Sequence, residues 1–93
     1  MLYIIQDNTS KLVKIGISNN PQKRLRQLQT GTGNKLRLLR TFVTENDRNW
    51  EKKLHKMLWQ NRRKGKWFNL DPLENYLFLF DELFQEHSEV VKL

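Results

Sequence analysis

Two apolar runs, Leu2 to Ile5 and Leu12 to Ile17, flank a polar stretch, and the pattern then switches to helical spacing. Leu2-Tyr3-Ile4-Ile5 is β-branched and aromatic and predicts a strand. Asp7-Asn8-Thr9-Ser10 is turn chemistry: short polar side chains that bond back to their own backbone. Leu12 to Ile17 then alternates, with Val13, Ile15 and Ile17 on one face and Lys14 on the other. The two runs predict a β-hairpin. Gly16 weakens the second strand unless the strand bulges there or something must approach its backbone closely. Asn19-Asn20-Pro21 then opens a helix, with Asn20 as cap and Pro21 at the first helical position, where its missing N–H costs nothing. That helix runs through Leu25 and Leu28 to about Thr30, and Gly31 and Gly33 end it.

Leu36 to Val43 predicts a third strand, with Leu36, Leu38 and Phe42 at alternating positions, and Thr44 is placed to cap the next helix. Trp50, Leu54, Met57 and Leu58 form an apolar stripe at i, i+4, i+7 and i+8. Glu51 and His55 lie beside that stripe, where helix meets sheet. Asn61 to Trp67 reads as a basic loop, and Trp67-Phe68-Asn69-Leu70 as a bridge or strand end. Asp71-Pro72-Leu73-Glu74 predicts a capping box for a last helix that runs to about residue 86 and is apolar almost all round. Such a helix is sandwiched or offers a homodimer surface. Beyond about His87 the chain is expected to fray. The order ββα-β-α-α predicts one α+β domain over residues 1–93: a small three-stranded, antiparallel-type sheet flanked by helices, with a core over about 2–70.

Charge changes the picture. The chain carries +7, and residues 1–70 hold 16 Lys/Arg against four Asp/Glu, while 71–93 hold one Lys against six acids. A basic body points to a polyanion partner. The basic residues share no helix with an exposed apolar face, which argues against a membrane surface, and no apolar run nears the roughly 20 residues of a span. With no cysteine and no visible signal peptide, a soluble, cytoplasmic protein is expected. Two distant histidines without cysteine do not make a zinc site, serine–histidine–acid catalysis finds little support, and no phosphate-binding loop is present.

Four side chains carry candidate chemistry: a phenol, Tyr3; an amine, Lys14; a guanidinium, Arg24; and a carboxylate, Glu51. Each alone has an ordinary structural reading. Together, the tyrosine on the first strand, Lys14-Ile15-Gly16 on the second, Arg24 on the first helix and Glu51-Lys52-Lys53-Leu54-His55 on the next resemble the GIY-YIG nuclease family, over about residues 2–70. The late Trp67-Phe68 pair is similar to that of its small stand-alone members. Three positions depart from the family's pattern: Met1 stands for the first motif's glycine, Lys14 for the second motif's tyrosine, and Leu28 for a histidine after the arginine.

The resemblance implies metal-assisted hydrolysis of DNA phosphodiester bonds. Tyr3 is then the general base, its phenolate made easier to form by Lys14 and Arg24. Arg24 presents a planar fork to the scissile phosphate, and Glu51 holds one Mg²⁺ or Mn²⁺ whose other positions are water and phosphate. His55 orients Glu51 or relays a proton. Lys23, Arg26, Arg62, Arg63, Lys64 and Lys66 grip flanking phosphates, contacts that fix position but read no sequence. Trp67 stacks on a base or ribose, or packs in the rim of the core. The rival readings are a nucleic-acid-binding module that does not cut and an interaction protein that dimerises through its last helix. The resemblance implies that such a domain by itself nicks loosely, acts on particular DNA structures or borrows a targeting partner.

Overall fold

Five strands form one sheet in the computed structural model, which describes residues 1–87, apart from the side chains of the last three. The elements are β1 (Leu2–Asp7), β2 (Val13–Ile17), α1 (Pro21–Thr30), β3 (Leu36–Phe42), α2 (Asp47–Met57), a 3₁₀ turn (Trp59–Asn61), β4 (Arg62–Lys64), β5 (Trp67–Phe68) and α3 (Leu73–His87). The sheet order is β3-β1-β2-β5-β4, and every pairing is antiparallel. The α+β class holds, but the expected three-stranded sheet is corrected to five strands. Residues 61–67, read as a loop, contain β4 and the turn into β5. An edge strand with no buried side has no apolar alternation to reveal it: Arg62, Arg63 and Lys64 are all exposed. Gly65, at φ +55°, makes the tight turn. A strand of cations also blunts the sheet edge against further pairing. What was expected of the chain beyond His87 lies outside the described residues.

The sheet is covered on both faces. Leu2, Ile4, Val13, Ile15 and Phe68 pack with Leu54 and Leu58 of the α2 segment and Phe80 and Phe84 of α3. Phe84 stacks on Phe42 at 4.6 Å and meets Trp50 edge-on at 5.1 Å. The Arg40–Asp81 ion pair, at 3.0 Å, also ties β3 to α3. On the opposite face a smaller cluster of Tyr3, Ile5 and Leu36 packs with Leu25 and Leu28 of α1, Leu38 and Trp67.

Local departures have local causes. Ile4 faces Arg40 but Ile5 faces Leu38, so a bulge leaves Leu39 as the extra residue of β3. Leu36 and Leu38 therefore face α1, whereas Leu39 and Phe42 join the other cluster. Asn46, not Thr44, caps α2: its side chain accepts the Asn49 N–H at 3.1 Å. The Thr44 hydroxyl instead donates to Asp47. Met57 ends α2 on the solvent side, 55% exposed, rather than on the apolar stripe. The last helix begins at Leu73, and no capping bond from Asp71 or Glu74 is found among the described residues. Its apolar surface is divided: Phe80 and Phe84 are buried, Phe78 and Leu79 exposed. No helix among the described residues is long and apolar enough to cross a membrane.

Candidate active site

The β1–β2 register places Tyr3 opposite Gly16 and Ile5 opposite Lys14. Tyr3 and Lys14 are thus diagonal neighbours on the face under α1, a spacing of about 7–8 Å in such ladders. The pairing runs without interruption through Gly16, so Gly16 is no bulge. A Cβ there would lie 2.5 Å from the Tyr3 hydroxyl oxygen and 2.6 Å from Cζ. The glycine is the space into which the tyrosine lies. Tyr3 is only 2% exposed. Its hydroxyl has no hydrogen-bond partner among the described residues, and no buried polar atom goes unpartnered, so the small exposed part includes the hydroxyl.

Asn20 accepts the Lys23 N–H at 3.1 Å and starts α1, which sets Arg24 on its first turn, half-buried. The Arg24 guanidinium makes one long bond, 3.4 Å to Gln27, and has no carboxylate partner among the described residues.

Glu51 comes from α2, across the sheet. β5 pairs with β2 at Val13 and Lys14, and Ile15 N–H still reaches the Lys66 carbonyl at 3.2 Å. Past that point β5 stops. His55 supplies the missing donor, its Nε2 lying 2.9 Å from the Ile15 carbonyl, with its ring against Phe68. A carbonyl only accepts, so Nε2 carries a proton. His55 therefore pins α2 to the exposed edge of β2, and Glu51, one turn earlier, sits beside that edge. No hydrogen bond joins His55 to Glu51 among the described residues. Glu51 is 12% exposed and accepts from Lys66 Nζ at 2.9 Å through Oε2; Oε1 has no such partner among the described residues.

Lys14 links the groups. Burial pushes its pKa below the ordinary lysine value, the charges of Lys66 and Arg24 push it further, and Glu51 pulls it back. Its Nζ lies 5.4 Å from the centroid of the Trp67 ring. Lys14, Arg24, Glu51 and Lys66 thus share one electrostatic neighbourhood, with the Tyr3 hydroxyl on the same face as Lys14. Among the phosphate-gripping candidates, Lys23 and Arg26 are exposed on α1, and Arg62, Arg63 and Lys64 on β4. Lys66 instead folds back onto Glu51. That pairing depends on the β4–β5 hairpin and had no signal in the sequence, where Lys66 is one cation in a basic run.

The donor set bears on the expected metal. Among the described residues no group of three or more His, Cys, Asp or Glu side chains could hold an ion. A resident ion caged by the protein does not fit. One carboxylate with a free oxygen does suit a hydrated Mg²⁺ or Mn²⁺ that takes its remaining ligands from water and substrate phosphate. Lys66 would have to leave Oε2 or share the carboxylate.

The T5orf172 domain family model matches residues 1–92. The chain belongs to the T5orf172 domain family. This match replaces the GIY-YIG assignment, for which the comparisons supply no support. No curated protein and no solved structure matches the chain. A nucleic-acid-related role accords with a T5orf172 domain.

Proposed function

We propose that the protein is an endonuclease that hydrolyses DNA phosphodiester bonds with help from one divalent ion. The observation that supports this reading is the convergence of Lys14, Arg24 and Glu51 on the side of the sheet where the Tyr3 hydroxyl has no hydrogen-bond partner among the described residues. In the proposed reaction a water oxygen attacks phosphorus as its proton passes to the Tyr3 oxygen, and the bond to the leaving oxygen breaks. Lys14 shares the sheet face of the phenol oxygen that takes the proton, and Arg24 lies in the electrostatic neighbourhood of Lys14. Arg24 also donates to the non-bridging oxygens, whose charge grows in the transition state. Glu51 would hold Mg²⁺ or Mn²⁺, which supplies Lewis-acid stabilisation of the leaving oxygen when bound. His55 acts at a distance, keeping α2 and hence Glu51 at the edge of β2. Lys23, Arg26, Arg62, Arg63 and Lys64 would hold flanking phosphates and give binding a steep salt dependence.

One observation favours a second reading, a module that binds nucleic acid without cutting it: Lys66 already neutralises Glu51. Nicking of supercoiled plasmid with Mg²⁺ or Mn²⁺ separates the two. Cleavage by the wild type that is lost in Glu51→Ala and Arg24→Ala supports the nuclease. Salt-sensitive DNA binding, unchanged in Glu51→Ala and without cleavage in the wild type, supports the binding module.

A further inference from the structure

Beside the proposed active site lies a cavity of about 430 Å³, bordered by the hairpin turn, the end of α1, the start of β3 and the β4–β5 hairpin. Its apolar lining includes Leu28, Leu36 and the half-buried Trp67; Ser10, Thr32 and Lys64 add polar groups. The volume falls within the roughly 300–1,000 Å³ of pockets that take small organic groups. Ser10 Oγ accepts the Leu12 N–H at 3.2 Å, and Thr32 Oγ1 accepts the Asn34 N–H at 3.1 Å. The Thr32 hydroxyl proton is left without an acceptor among the described residues, whereas the Ser10 hydroxyl is held by Asp7. Asp7 also borders the cavity, but its carboxylate is taken by Thr9, Ser10 and Asn34, so it offers no ready cation ligand.

Trp67 connects this cavity to the site, because the same ring that lines it lies 5.4 Å from Lys14 Nζ. We propose that the cavity receives a nucleobase from the strand whose phosphate lies at Arg24 and Lys14. The proposal rests on the nucleic-acid reading above and deepens it. A nucleobase has a flat face for the Trp67 ring and the leucines. Its edge carries carbonyl and ring-nitrogen acceptors for the Thr32 proton, and the phosphate of the same nucleotide suits Lys64. An aliphatic side chain from a protein partner would leave that donor and that cation unused. A base stacked within a duplex cannot enter a pocket, so the preferred substrate is single-stranded or carries an unpaired nucleotide.

The test is fluorescence anisotropy, without divalent metal, on a labelled single-stranded oligonucleotide and on one of equal length whose nucleotides are all abasic. Both present the same phosphates. The wild type should bind the intact strand about 5- to 100-fold more tightly, the range expected for one stacked base. Leu28→Trp, which fills the cavity from α1 and leaves Trp67 in place, should abolish most of that difference. Trp67→Ala should do the same, and Trp67→Phe should retain much of it. Urea unfolding of each variant identifies any loss that comes from unfolding alone, and Leu28→Trp then carries the test if Trp67→Ala fails to fold. Equal wild-type binding of the two strands would overturn the pocket, as would a preference for the intact strand that survives in folded Leu28→Trp. Absence of salt-sensitive binding to either strand would overturn the nucleic-acid reading itself, and the pocket with it.

Discussion

On the sheet face that carries α2 and α3, Leu2, Ile4, Val13, Ile15 and Phe68 are buried to the last square ångström against Leu54, Phe80 and Phe84. On the face under α1 the same strands present Tyr3, Gly16 and Lys14, and the packing is thinner: three buried residues, one cavity and a lysine whose charge burial disfavours. The alternation of a β-strand makes this division possible, since neighbouring residues serve opposite faces. Ile15 belongs to the core while Lys14 and Gly16, one residue either side, shape the site. The first face supplies stability, and the second spends some of it to hold charged and polar groups together.

The division can be broken from either side, beginning with the largest effects. Phe80→Ala should cost about 3–5 kcal/mol by leaving a cavity in the main core, read as a lower urea midpoint. Tyr3→Phe should do the opposite. Its hydroxyl holds no hydrogen-bond partner among the described residues, so stability should change by less than about 0.5 kcal/mol, while plasmid nicking falls by about 10²- to 10⁴-fold, the usual worth of a general base. Gly16→Ala forces a methyl to 2.5 Å from the Tyr3 oxygen. Overpacking of this kind costs about 1–3 kcal/mol, and the displaced phenol should lose nicking as well.

Asp7 supports the hairpin turn beneath the cavity. Burial pulls its pKa up, but hydrogen bonds from Asn34, Ser10 and Thr9 outweigh this and leave it below the ordinary 3.8. Its contribution to stability is present above that ordinary value and is lost as pH falls through the lower folded value. Melting temperature followed downward from pH 6 should therefore fall more steeply for the wild type than for Asp7→Asn. The smallest effect concerns Lys14, whose pKa is lowered from 10.5. The folded state then binds fewer protons than the unfolded state just below that value, so the penalty for burying the charge fades as pH rises toward 10.5. Lys14→Met should gain a little stability at pH 7, with a gain that shrinks at high pH, and should lose nicking. A stability loss at pH 7 would place Lys14 with the supporting face instead.

The hairpin, the Asn20-Pro21 helix start and the third strand were legible because each has a local signature: alternation, a cap or a turn. β4 was not, because a fully exposed edge strand needs no apolar residues. The bulge that turns Leu39 and Phe42 toward α3 was hidden too, since a register shift is decided by the partner strand. At the site, Tyr3, Lys14, Arg24 and Glu51 could be singled out by side-chain chemistry, although their assigned family was corrected by the match to the T5orf172 domain. Gly16 admits two explanations in the sequence, and only the Tyr3 ring lying over it decides between them. Two contacts depended on tertiary geometry alone: His55 on the Ile15 carbonyl and Lys66 on Glu51.

The most direct measurement is plasmid nicking by wild type and Tyr3→Phe at equal concentration, with urea unfolding curves recorded on the same preparations. Superimposable unfolding curves with cleavage lost in the variant are the predicted result, and would make the face under α1 the catalytic one. Wild-type nicking by a stably folded Tyr3→Phe would contradict the account, because the hydroxyl would then have no part in the chemistry.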